Sequence, residues 1–212
     1  MERLQCPEPL RTRVIDAWTT RGRRAHGRIA TTARFVLGAM ADGAPLELVA
    51  DLGIVQLDHV HHAQRCLALA AGLGAVHDPS PLSVVPADPP SAASPTELAQ
   101  SCIEATVRAV AWMEARDAAR QTDVRELFDT LASDASRHVE VMWRLLRWTL
   151  GRADTVARAA VVDALRAWGP SAASATPEEV ELAAFGALSP RLRNRAEHRA
   201  LPIVQQAADA WA

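Results

Sequence analysis

The chain has 212 residues, of which 49% are hydrophobic and 23% charged, with a formal net charge of −2. Such a composition suits one domain with a substantial core and excludes global disorder, and the charge balance offers no bulk attraction to nucleic acid or to a membrane surface. No apolar run approaches a membrane span, the first ten residues lack the apolar stretch of a secretory signal, and Cys6, Cys66 and Cys102 are too sparse a set for a disulfide framework, so the expectation is a cytoplasmic protein of bacterial type.

Ala, Leu, Val and Arg dominate, and alternating patterns are scarce, so the chain reads as all-α. The first helix is predicted over Thr12 to Met40, ended by Ala41-Asp42-Gly43-Ala44; Pro45 opens the second, which stops at Gly72 and Gly74. From Ala75 to Pro95 six prolines forbid a helical period, and this stretch is read as a long connection within one domain. A second pair of helices follows, over about Thr96 to Arg120 and Thr122 to Leu150. Beyond Gly151 come a helix over Ala153 to Trp168 and weaker ones near Pro177 to Leu188 and Arg195 to Trp211, expected to pack on the outside of the first four. Two helical hairpins joined by a long crossover is the topology of ferritin-like bundles, which gives a bundle over 1–150 and added helices over 151–212 in the same domain.

At about 100° per residue, the second helix aligns Leu48, Leu52, Val55, His59, His62, Cys66 and Leu69 on one stripe. The fourth aligns Val124, Leu127, Phe128, Leu131, Ala135, His138, Met142 and Leu145. His59, His62 and His138 therefore interrupt apolar seams and point inward, whereas His61 falls off the stripe and is expected in solvent. A core imidazole must satisfy its ring nitrogens by metal ligation or by hydrogen bonds. Cys66 and Cys102 read as packing residues.

Several segments together resemble bacterial ferritin-like domain proteins: Ala33-Arg34-Phe35-Val36-Leu37, Gly43-Ala44-Pro45 with Glu47-Leu48-Val49, Asp58-His59-Val60-His61-His62-Ala63, and Ser133-Asp134-Ala135-Ser136-Arg137-His138 with Trp143, Arg144 and Trp148. The resemblance spans roughly Trp18 to Trp148. It implies two metal ions held by four Glu and two His. His62 and His138 match the histidines, but the Glu positions fall at Ala25, His59, Ala105 and Ala135, and none is retained. His26 and Glu104 each lie one residue from an expected ligand position, a rotation of about 100° that only a π-bulge would undo. Asp58 and Asp134, at the seam edges, are candidates to orient a histidine from behind, and Glu104 is a further supporting carboxylate.

Three functional readings follow. His59, His62 and His138 could hold one divalent ion, iron, zinc, manganese or copper, with an open position for oxygen or a small substrate, as in a metal-dependent oxidoreductase. Alternatively the bundle is metal-free and serves as a small-molecule binding or protein-interaction module, with a pocket where Ala25, Ala105 and Ala135 replace carboxylates, or with His59 or His138 as a general base. The family implies a third, a two-iron oxidase or ferroxidase, which the missing carboxylates oppose. Expected partners are a small-molecule ligand in the core and a second copy in a homodimer.

Overall fold

The computed structural model describes residues 6–76, 93–172 and 181–211. Among these the chain is all-helical, with no strand: α1 (Glu8–Ala41), α2 (Leu46–Gly72), α3 (Pro95–Ala118), α4 (Thr122–Arg152), α5 (Thr155–Ala167) and α6 (Pro190–Trp211). No helix among the described residues is long and apolar enough to cross a membrane.

Local chemistry sets the helix ends. Helix α1 starts at Glu8, earlier than Thr12, because Pro9 occupies the first turn, where its missing N–H is not needed. It ends in a tight turn in which Ala44 N–H donates to Ala39 O at 2.8 Å and Gly43 takes φ 74°, a conformation that suits glycine. Helix α3 opens with a capping box: Glu97 N–H donates to Ser94 Oγ at 3.2 Å, and Ser94 N–H donates to Glu97 Oε2 at 2.8 Å. Asp154 caps α5, its Oδ1 accepting from Ala157 N–H at 2.7 Å.

Of the helix expected over Pro177 to Leu188, residues 177–180 lie outside the described residues, 181–183 are helical and 184–186 form a turn. The chain then reverses at Gly186, with φ 87°, where a Cβ would collide with Trp18 Cζ2. Helix α6 begins at Pro190, not Arg195, and continues through Pro202. Most of the predicted proline-rich connection, residues 77–92, lies outside the described residues.

Helices α1 and α2 pack as one hairpin and α3 and α4 as another, while α5 and α6 pack on α3 and on each other. Ion pairs from Arg195 and Arg199 to the nearly buried Glu114 fasten α6 to α3. Helices α2 and α4 are antiparallel, since Asp58 meets His138 and His62 meets Asp134. Helices α3 and α4 are antiparallel too, since Cys102 meets Met142 and Arg116 meets Asp129. Helices α2 and α3 therefore run the same way.

The apolar core falls into two main clusters. One gathers Leu52, Val55, Leu98, Leu145, Leu146 and Val204. The other gathers Val14, Trp18, Trp112, Phe128 and Leu131, with Trp18 and Phe128 stacked at 5.5 Å. Complete burial of such a side chain stabilises the fold by about 1.5–3 kcal/mol. Along α2 and α4 the three buried histidines lie between these clusters.

Candidate functional site

Helices α2 and α4 repeat one spacing, Asp-x-x-x-His, as Asp58/His62 and Asp134/His138. Residues four apart share a helical face, and the antiparallel pairing sets the Asp of each helix opposite the His of the other. His62 Nε2 lies 2.8 Å from Asp134 Oδ2, and His138 Nε2 lies 2.9 Å from Asp58 Oδ2. Arg137 Nη2 donates to both acids, at 2.8 Å to Asp58 Oδ2 and 2.9 Å to Asp134 Oδ1. His59 packs edge-on beside them, its ring centroid 4.9 Å from that of His138 and 6.0 Å from that of His62.

Five of the sequence candidates are thus brought together: His59, His62, His138, Asp58 and Asp134. Glu104 is not among them. It is exposed on α3, accepts from Gln100 Nε2 at 3.5 Å and interacts electrostatically with Arg28 and Arg108. His61 is exposed, while Ala25, Ala105 and Ala135 are buried.

Burial holds all three imidazoles below their ordinary pKa of 6.5. His59 is driven far down, first by burial and then by the positive field of Arg108, with His138 and Arg28 adding to it. His62 is lowered by burial against the opposing pull of Asp134. For His138 burial outweighs the Asp58 bond and brings the ring to about 4. Burial alone would raise Asp134, but bonds from His62 and Arg137 hold its carboxyl below the usual range. The rings are therefore neutral near pH 7. A neutral imidazole facing a carboxylate carries its proton on that nitrogen, an assignment that follows from the hydrogen-bond network. His62 and His138 thus donate from Nε2, leaving a lone pair on each Nδ1. The buried Nδ1 atoms of His59 and His138 have no hydrogen-bond partner among the described residues.

The cluster contains no activated nucleophile among the described residues. Burial pushes the Cys66 thiol up to about 11 and raises that of Cys102, whose Sγ donates to Met142 O at 3.3 Å. Thr106 Oγ1 donates to Cys102 O at 2.8 Å and accepts from Trp143 Nε1 at 3.1 Å.

The two-metal site that the resemblance implies does not fit these residues, because the positions it would assign to carboxylates hold the buried Ala25, Ala105 and Ala135 and, at the fourth, His59. Nor do three His, Cys, Asp or Glu side chains among the described residues group as one ion requires. The feature that does suit an ion is the pair of unpartnered Nδ1 atoms, with Asp58 behind His138 as a metal-binding histidine often has.

Arg28 and Arg108 link this cluster to a cleft of about 1070 Å³ between α1, α3 and the segment leading into α6. Arg21 forms part of its wall, stacked 4.3 Å from the centroid of Trp18 and donating from Nη2 to Gly186 O at 2.8 Å. Sequence reasoning did not select Arg21, Arg28, Arg108 or Trp112. A signal was present in α1, where Arg21 and Arg28, seven residues apart, continue the stripe of Val14, Trp18, Ala25 and Phe35.

Comparisons with protein-family models, curated proteins and solved structures find no match to this chain.

Proposed function

We propose that the chain is a ferritin-like four-helix bundle that works without a core metal, as a small-molecule binding module. The parallel course of α2 and α3 supports the topology, because it sets Gly72 at the end of α2 and Pro95 at the start of α3 at opposite ends of the bundle. One observation carries the metal-free reading. The two aspartates beside the histidines are already bound to His62, His138 and Arg137, while Arg28 and Arg108 add positive charge towards His59. A divalent ion at the imidazoles would meet guanidinium repulsion without an uncommitted carboxylate to offset it. The histidine cluster then serves as a hydrogen-bonded clamp between α2 and α4, and the adjoining cleft is the binding compartment. Pairing of two copies belongs to the same proposal, with exposed Leu37, Met40, Ile54 and Leu57 as apolar surface on α1 and α2.

The unpartnered Nδ1 atoms of His59 and His138 favour a second reading, a single divalent ion bound there with His62 nearby. Metal analysis of the purified full-length chain decides between the two. The metal-free reading expects less than a stoichiometric amount of iron, zinc, manganese or copper, and a melting temperature unchanged by chelator. One equivalent of metal, lost in both His59→Ala and His138→Ala, would overturn it.

A further inference from the structure

We propose that the cleft between α1, α3 and the segment leading into α6 binds a small phosphorylated organic molecule, with phosphate oxygens accepting from Arg28 and Arg108. The inference rests on the binding-module reading and names its ligand class.

Arg21 and Trp112 separate the cleft from the core behind it. Arg21 Nη1 and Trp112 Nε1, in residues only 7% and 5% exposed, have no hydrogen-bond partner among the described residues and lie behind the wall, out of reach of the cleft. Arg21 Cζ lies 5.0 Å from the Trp112 ring centroid, so the two groups adjoin. The donors that the cleft does present are the guanidinium groups of Arg24, which is exposed, and of Arg28 and Arg108, which are half-buried. A guanidinium only donates, so a group that binds these three must bring acceptor oxygens of its own.

The charge of the wall has the same requirement. Six arginines, Arg13, Arg21, Arg24, Arg28, Arg108 and Arg193, line the cleft against three carboxylates, Asp16, Glu104 and Glu197. Glu197 is already occupied by Ser171 and Arg193. Burial lowers Arg108 to about 9, with repulsion from Arg28 second, yet it stays charged at neutral pH. A dianion would offset this surplus, and a phosphate presents three oxygens around one centre to donors converging from several sides. A volume of about 1070 Å³ far exceeds a bare phosphate, while the partly exposed Val107, Trp168 and Leu188 supply surface for an organic body.

The full-length chain would be titrated with inorganic pyrophosphate, AMP and ATP, followed by tryptophan fluorescence and calorimetry, with citrate as a polyanion lacking phosphorus. The expected result is saturable binding of at least one phosphorylated nucleotide, weakened by salt, with citrate roughly tenfold weaker or worse. Arg28→Gln and Arg108→Gln should each weaken binding by about tenfold or more while retaining helix content and melting behaviour. Arg24→Gln, at an exposed position of the same wall, gives a variant whose folding is not at issue, and it should weaken binding by a smaller factor. Absence of binding at millimolar concentrations, citrate binding as tightly as the phosphates, or unchanged affinity in Arg28→Gln, Arg108→Gln and Arg24→Gln would each overturn the proposal. Metal content bears only on the histidine cluster and the titrations only on the cleft, so failure of one reading is distinguishable from failure of the other.

Discussion

Asp58 and His138, eighty residues apart in the chain, are joined by a 2.9 Å hydrogen bond that ties α2 to α4 in the middle of the core. Removing the acid strands the imidazole proton in a nearly dry site and takes one acceptor from Arg137. Asp58→Ala should lower the free energy of unfolding by roughly 2 kcal/mol. Asp58→Asn should cost less, because an amide oxygen can still accept from Nε2. Arg137→Gln, at a half-exposed position, should cost below about 1 kcal/mol. Urea titration of the three variants checks this order, and an Asp58→Ala protein as stable as the parent would show that the pair is not a clamp.

The same burial makes stability depend on pH. His138 sits at about 4 in the folded chain against 6.5 for an unperturbed histidine, and His59 and His62 are shifted in the same direction. Asp58, Asp134 and Arg137 face His62 and His138, and the field of Arg108 reaches all three rings. Between the two values the unfolded chain binds more protons than the folded one, so stability falls as pH drops from about 6.5 towards 4. At pH 5 the loss from His138 alone should be roughly 2 kcal/mol relative to pH 7.5. Chemical denaturation across this range would reveal it, with His138→Gln showing a shallower slope; a flat profile from pH 7.5 to 5 would contradict buried neutral rings.

The inward stripe of α2, from Leu48 to Leu69, was legible from spacing alone, as was the burial of His59, His62 and His138, because helical periodicity fixes direction before any neighbour is known. Which partner each ring meets was not legible. Pairing His62 with Asp134 requires the antiparallel offset of α2 against α4, a tertiary fact that the repeated Asp-x-x-x-His spacing only hints at. The arginine cleft was hidden for a similar reason. Arg21 and Arg28 look like solvated charges until Arg108 on α3 and the residues preceding α6 enclose the same space. The helix expected over Pro177 to Leu188 is helical at 181–183 and stops short of Leu188, because the chain turns at Gly186 against the Trp18 ring.

The thiols provide a test of core tightness. Cys66 and Cys102 are 1% and 0% exposed, and burial raises both pKa values, so neither presents thiolate to reagent in the folded chain. A chromogenic disulfide reagent at pH 8 should label them only at the rate of opening, and immediately in denaturant. Mass mapping identifies the modified residue. Labelling of Cys102 as rapid in buffer as in denaturant would mean that α3 does not stay packed on α4.

Gly186 joins the C-terminal segment to the core. Its carbonyl accepts from Arg21 Nη2 at 2.8 Å, and the preceding Phe185 carbonyl accepts from Trp18 Nε1 at 3.1 Å. An added methyl would meet Trp18, with Val124 Cγ1 at 3.1 Å and Phe128 Cε2 at 3.2 Å closing the remaining sides. Residues other than glycine also disfavour φ 87°. Gly186→Ala should therefore destabilise the chain by about 2–5 kcal/mol, combining backbone strain with overpacking. Because the displaced carbonyl would release Arg21, the substitution should also blue- or red-shift Trp18 emission in the folded protein. A melting temperature within experimental error of the parent would show that the segment is not seated against Trp18.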